Sequence, residues 1–219
     1  MVELHNMDCM ELMKRYPDNY FDLSIVDPPY GIEESGGVSG GETLHKKGRR
    51  FSRKELLRWD KKPNKKYFDE LARVSKNRII WGGNYFNLPP TRCVIVWDKV
   101  QPWETFSKVE IAWTSFAGPA NLFKFDNRTG GKIHPTQKPI ALYKWLLDNY
   151  AKQGDKILDT HLGSGSSAIA AYQLGYDFVG CELDKDYFQA MEKRVKQAMK
   201  QTNLFQSAEE KQAEQIKIF

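Results

Sequence analysis

Apolar positions along the chain fall into two rhythms. Short β-branched or aromatic runs, bounded by turn residues, alternate with stretches whose apolar residues recur three and four apart. Val2–Leu4, "FDLSIVD" (21–27), "RIIWGG" (78–83), "CVIVWD" (93–98), "VEIAWTSF" (109–116), "DKILD" (155–159) and "YDFVGCELD" (176–184) read as strands. Helices are predicted over "MELMKRYP" (10–17), with Leu12, Met13 and Tyr16 on one side, and over "KYFDELARVS" (66–75), with Phe68, Leu71 and Val74 inward. The cleanest helix is 139–154: Pro139 suits the first helical position, Leu142, Trp145 and Leu146 form its apolar face, and Gly154 follows its end. "SSAIAAYQLG" (166–175) reads as a small-residue helix, and 185–201 as one with Phe188, Met191 and Val195 inward. The glycine-rich 31–44 and the segment 116–133 read as loops, the first of them mobile, and the polar tail 206–219 is expected to fray. Strands alternating with helices indicate an α/β fold with a largely parallel sheet, in one domain over residues 1–205.

Composition narrows this little. A length of 219 residues, 41% hydrophobic and 28% charged, suits one soluble globular domain. The net charge of +5 favours an acidic partner. Positive charge concentrates at 45–66, in a basic insert spanning 31–66: Lys46, Lys47, Arg49, Arg50, Arg53, Lys54, Arg58, Lys61, Lys62, Lys65 and Lys66 stand in 45–66 against only Glu55 and Asp60. Such a block can neutralise phosphates and bind nucleic acid in a salt-sensitive, sequence-blind way. The interleaved Phe51 and Trp59 can wedge or stack on bases; a solvated charged helix is the plain alternative. No apolar run approaches the roughly 18 residues of a membrane span, and the acids in "MVELHNMDCM" are unlike a signal peptide. Cys9, Cys93 and Cys181 are far apart, and the histidines show no ligand spacing. A reduced, cytoplasmic setting without a structural metal is expected.

Two stretches carry candidate chemistry. "ILDTHLGSGSSAIAA" (157–171) is strand, glycine turn, helix, with Gly163, Gly165 and Ala168 in a G-x-G-x-x-[GA] pattern and Glu182 closing the next strand. Glycines let the backbone approach a ligand, the helix start offers free N–H groups, and the acid can accept ribose hydroxyls. Alone this fits a nicotinamide or flavin dinucleotide as well as an adenosyl sulfonium. A dinucleotide fold puts the fingerprint early; here one strand and one helix follow it, so upstream strands must complete the sheet. The second stretch, "SIVDPPYGIEESGG" (24–37), ends a strand with an acid, two prolines and an aromatic ring. A simple turn would explain a lone Pro-Pro.

Together with "HPTQKP" (134–139), these stretches resemble the amino-group DNA methyltransferases that use S-adenosylmethionine. Their order, D-P-P-Y first and glycine loop last, is similar to the β-group of that family. The resemblance covers most of the chain, with His161 standing where the family commonly has phenylalanine. It implies a doubly wound, mostly parallel sheet of the class I methyltransferase type, circularly permuted, with one antiparallel strand. It implies transfer of a methyl group to the N6 amine of a flipped-out adenine in double-stranded DNA. Asp27 and the Pro28 carbonyl would each accept a hydrogen bond from the amine, with Pro28 and Pro29 fixing the backbone and Tyr30 stacking on the base. For the cofactor it implies Glu182 on the ribose, Asp8 near the adenine ring, and Asp27, Asp159, His161, Leu162, Gly163, Ser164 and Gly165 around the methionine part. Thr136 and Lys138 of the HPTQKP element would hold its carboxylate. Asp8 fits equally well as a helix cap. The 31–66 insert and 116–133 are the expected DNA contacts, and a second copy of the chain or a recognition partner is expected to supply part of the sequence reading. Rival readings are transfer to cytosine N4, where the family more often has serine at the Asp27 position, transfer to RNA adenine, where asparagine is commoner, a silent DNA-binding subunit, and a nicotinamide oxidoreductase.

Overall fold

The computed structural model describes residues 1–31, 43–46, 49–52, 60–102, 107–126, 133–134 and 136–216, with backbone only for 43–46, 49–52 and 205–216. In chain order the elements are β1 (Val2–Asn6), α1 (Cys9–Met13), β2 (Phe21–Val26), β3 (Thr43–Lys46), β4 (Arg49–Ser52), α2 (Lys65–Val74), β5 (Ser75–Trp81), a 3-10 turn (Gly83–Tyr85), β6 (Val94–Asp98), β7 (Val109–Thr114), β8 (Asn121–Lys124), α3 (Ile140–Tyr150), β9 (Lys156–Asp159), α4 (Ser166–Gln173), β10 (Asp177–Glu182) and α5 (Lys185–Ile216).

Eight strands form one sheet in the order β1-β10-β9-β2-β5-β7-β6-β8. β7 alone runs antiparallel to its neighbours β5 and β6; the other pairings are parallel. This is the doubly wound, permuted class I architecture, with β2 and β5 at the centre and the chain's first strand at one edge. Both faces are covered, so alternate residues of one strand enter different cores. Ile79 and Trp81 pack with Ile157, Phe178, Leu142 and Leu146 on one face, while Ile80 packs with Leu158, Val179, Leu12 and Leu71 on the other. Burial on both sides is why the central strands read as continuous apolar runs rather than alternating ones.

Several boundaries depart from the sequence expectations. Pro139 is the N-cap of α3, with extended ψ of 146°, not its first helical residue. The segment 116–133 is not all loop: Asn121–Lys124 forms β8, paired in parallel with Ile95–Asp98. Its four residues give too short an alternation to stand out from a loop. Part of the basic insert forms a hairpin, β3 against β4, with Thr43 opposite Ser52 and Lys46 opposite Arg49. The last helix continues through the stretch expected to fray, reaching Ile216. Glutamate, glutamine, lysine and alanine are good helix formers, so propensity extends α5 past the core residues Met191 and Val195. Among the described residues no helix is long and apolar enough to cross a membrane.

Candidate active site

Parallel strands deliver their C-terminal ends to one edge of the sheet. Val26 pairs with Ile80, and Gly180 with Asp159, so the residues after β2, β5, β9 and β10 emerge together. In an open α/β sheet the crevice outside that edge, where the strand order reverses, is the place for a ligand. Here the reversal lies between β9 and β2.

The glycine turn follows β9. Leu162 N donates to the Cys181 carbonyl at 3.0 Å, and Gly165 N to the Leu162 carbonyl at 2.7 Å. Gly163 and Gly165 have φ of +48° and +74°. A Cβ on Gly165 would lie 2.6 Å from Met191 Cγ, so glycine is needed both for the conformation and for the approach of α5. Asp159 is buried and holds the turn: it accepts from His161 N at 3.0 Å and from Ser167 Oγ at 2.6 Å. Desolvation raises its pKa to about 7. Two of its roughly four lone-pair sites thus hold the turn. His161 bonds Thr160 Oγ1 at 2.9 Å and sets its ring edge-on to Tyr67; burial pulls its pKa down to about 4. Ser164 Oγ pairs with Ser166 Oγ, and Leu162 packs inward. Glu182, at the end of β10, accepts from Gly163 N at 2.9 Å and Asp184 N at 3.0 Å. Desolvation, the largest influence on it, raises its pKa. Asp8 caps α1, accepting from Met10 N at 2.8 Å, beside Met7, whose N–H bonds the Glu182 carbonyl.

The D-P-P-Y stretch leaves β2 at the same edge. Tyr30 Oη donates to Asp27 Oδ1 at 2.7 Å, and Lys138 Nζ donates to Oδ2 at 2.5 Å. Pro28 is buried beneath them. The Tyr30 ring stacks on Tyr85 at 4.9 Å and 15°, and lies against Gly82, where a Cβ would come within 2.2 Å of it. Gly82 has φ of +69°. Tyr85 is exposed and continues this aromatic surface outward. Asp60 accepts from Gly31 N at 2.9 Å, which fixes the end of the stretch.

HPTQKP joins the two halves. The His134 ring lies 3.5 Å from where a Gly163 Cβ would stand and edge-on to Tyr187 at 4.6 Å, while Lys138 reaches Asp27. Thr136 Oγ1 bonds His134 Nδ1 at 3.1 Å, so it shapes this turn. Lys138 is not held ready for a carboxylate ligand. It is buried, contacts Glu110 Oε2 at 3.1 Å as well as Asp27, and lies over the Trp81 ring. Lys99 in turn pairs with Glu110 at 2.6 Å. These lysines hold the Glu110 pKa down, at about 2, against its burial. Sequence reasoning missed Glu110, Lys99 and Tyr85. The available signal was an acid inside the strand run "VEIAW", which must find a cation if buried.

The residues fit an adenosyl sulfonium: a glycine turn that leaves room for close approach, an acid for a diol, and an acid–aromatic pair at the same sheet edge. Of the expected nucleic-acid contacts, Lys46, Arg49 and Arg50 lie on the β3–β4 hairpin, and Lys61 is exposed. Lys62 Nζ donates to the Tyr85 carbonyl and lies over Phe86. Lys47, Arg53, Lys54 and Arg58 fall outside the described residues, as do 32–42 of the glycine-rich loop, Trp59, and 127–132 of the second candidate segment.

Known proteins are similar to this chain. Residues 93–193 match the N6/N4 methyltransferase family described as DNA methylase. The Type II methyltransferase M2.DpnII of Streptococcus pneumoniae is 26% identical over 260 residues, covering 93% of this chain and 92% of its own. M.HinfI of Haemophilus influenzae is 25% identical over 248 residues, covering 87% and 67%. Among solved structures, M1.HpyAVI with SAM superposes with a TM-score of 0.60 at 20% identity, covering 89% of this chain and all of that one. A putative DNA modification methylase of Thermus thermophilus, TTHA0409, complexed with S-adenosyl-L-methionine, gives 0.58 at 17%, covering 91% and 95%. PvuII DNA methyltransferase, cytosine-N4-specific, gives 0.57 at 14%, covering 92% of each chain. These structural likenesses show a common fold. The family match spans Glu110, Lys138, the glycine turn and Glu182, and the two Type II relatives cover most of the chain, so the chain is similar to the N6/N4 DNA methylases.

Proposed function

We propose that the protein transfers a methyl group from S-adenosylmethionine to the N6 amine of an adenine extruded from double-stranded DNA. The observation that carries this is the meeting of Asp27 and the glycine turn at one sheet edge, bridged by His134 and Lys138. The adenine amine is a weak nucleophile because its lone pair is delocalised into the ring. Asp27 Oδ1 accepts one N–H and the Pro28 carbonyl the other, which lets the nitrogen pyramidalise. A carboxylate has about four lone-pair sites, so Asp27 can take the amine while keeping Lys138. The two prolines fix φ, so the carbonyl needs no ordering when the base arrives. The exposed Tyr85, stacked on the Tyr30 ring that Gly82 backs, provides the surface against which the base lies. The cofactor supplies the methyl on a cationic sulfur, which keeps the electron pair of the broken C–S bond as the nitrogen pair forms the new C–N bond. The nitrogen then sheds its extra proton toward Asp27. Glu182 accepts from the ribose hydroxyls, and the backbone of 162–165 lines the methionine part.

The hairpin carrying Lys46, Arg49 and Arg50, with Lys61 and Lys62, supplies phosphate contacts. Reading of a site beyond the catalytic core falls to a second copy or a separate partner. Asp27 rather than serine favours adenine over cytosine, and over RNA, where asparagine is usual. Mass analysis of nucleosides from DNA treated with protein and cofactor tests this. N6-methyladenine is expected; N4-methylcytosine alone, or modification of RNA alone, overturns the choice of target.

A further inference from the structure

β7 is the one antiparallel strand, so it brings its first residues, not its last, to the catalytic edge. Trp81 pairs with Ala112, and Trp97 with Glu110, which sets Glu110 just beyond the end of β5. There it meets Lys138, whose side chain is 2% exposed. A buried ammonium needs a paired acid, and Asp27 alone would supply one. Lys138 has two. The second, Glu110, is itself held from behind by Lys99 through its other oxygen. The row runs Lys99, Glu110, Lys138, Asp27, Tyr30 hydroxyl: charges alternate and sum to zero.

We propose that Glu110 is a positioning residue for methyl transfer: braced by Lys99, it draws the Lys138 ammonium toward itself and so orients Asp27 without consuming its charge. This rests on the reading that Asp27 receives the amine. Without the Glu110 charge, Lys138 is left with Asp27 as its acid, and Lys99 loses the carboxylate it pairs with. Lys138 then closes fully on the carboxylate that the amine must use. The site also gains one uncompensated positive charge beside a cationic methyl donor and a nitrogen that becomes cationic on methylation. The row explains why Lys138, just before the N-cap of α3, turns inward rather than serving as a surface anchor.

The test is Glu110→Gln in the full chain, with thermal melting to check the fold. Expected are a fall in kcat of about tenfold or more and a KM for DNA within about twofold of the original. The affinity ratio of S-adenosylmethionine to S-adenosylhomocysteine is expected to fall several-fold, because only the former carries the sulfonium charge. Glu110→Asp, which keeps the charge, is expected to recover part of kcat and most of the ratio. Should Glu110→Gln not fold, Lys99→Gln takes its place, with a smaller loss of kcat expected. A folded variant with unchanged kcat overturns the proposal. So does a loss of kcat with an unchanged affinity ratio, which marks a packing role. If the unaltered protein binds the cofactor yet methylates no DNA, the functional reading fails instead, and the affinity ratio still tests the Glu110 row.

Discussion

Asp159 and His161 sit two residues apart and respond to pH in opposite directions. The buried Asp159 carboxyl holds its proton up to about 7, against 3.8 ordinarily. It thus contributes stability that is full below its unfolded pKa and is lost as pH rises through the folded value. His161 is held neutral down to about 4, against 6.5 ordinarily. Its contribution is present above the unfolded pKa and lost as pH falls through 6.5 toward the folded value. Between these limits one residue cancels the other, each worth about 1.4 kcal/mol per pH unit. Replacing His161 with the phenylalanine common in the family removes only the second effect. His161→Phe is therefore expected to lose stability relative to the unaltered protein as pH rises from about 4.5 to about 6.5, measured by urea unfolding at several pH values. Parallel stability curves would show that the imidazole is not desolvated as the geometry implies.

At the scale of elements, the β3–β4 hairpin and the short strand β8 were the least legible features. The hairpin's residues, "TLHK" and "RRFS", mix charge with one or two apolar positions, so neither rhythm rises above the basic background. By contrast, β2, β5, β9 and the helix α2 could be read directly. Their apolar residues are dictated by two covered sheet faces or by one buried helix stripe, which in α2 is Tyr67, Leu71 and Val74, with Tyr67 buried where Phe68 was expected and Phe68 half-buried. At the site, D-P-P-Y, HPTQKP, the glycine turn and Glu182 were legible because strained or specialised backbone demands particular residues. Glu110 and Tyr85 were not, because their roles depend on strand pairing that no local pattern encodes. The hairpin prediction belongs here. Neutralising Lys46, Arg49 and Arg50 together to Gln should weaken binding to unrelated DNA sequences alike. The log–log salt slope should flatten by about 0.9 for each phosphate that the variant no longer neutralises, read by fluorescence anisotropy. An unchanged slope would place the DNA elsewhere.

Across the whole molecule, one sheet does two jobs. Its parallel strands gather the glycine turn, Glu182 and Asp27 at a single edge, and its one reversed strand feeds Glu110 into the same place. Residues 111 apart in sequence, Asp27 and Lys138, meet there because the chain crosses the sheet between them. The most direct measurement is single-turnover methylation by Asp27→Ala, with cofactor binding measured on the same preparation by calorimetry. The predicted result is a cofactor Kd within about twofold of the original and transfer reduced by roughly a hundredfold or more. Transfer at the original rate by a folded Asp27→Ala protein would contradict the assignment of the amine-accepting role to this aspartate.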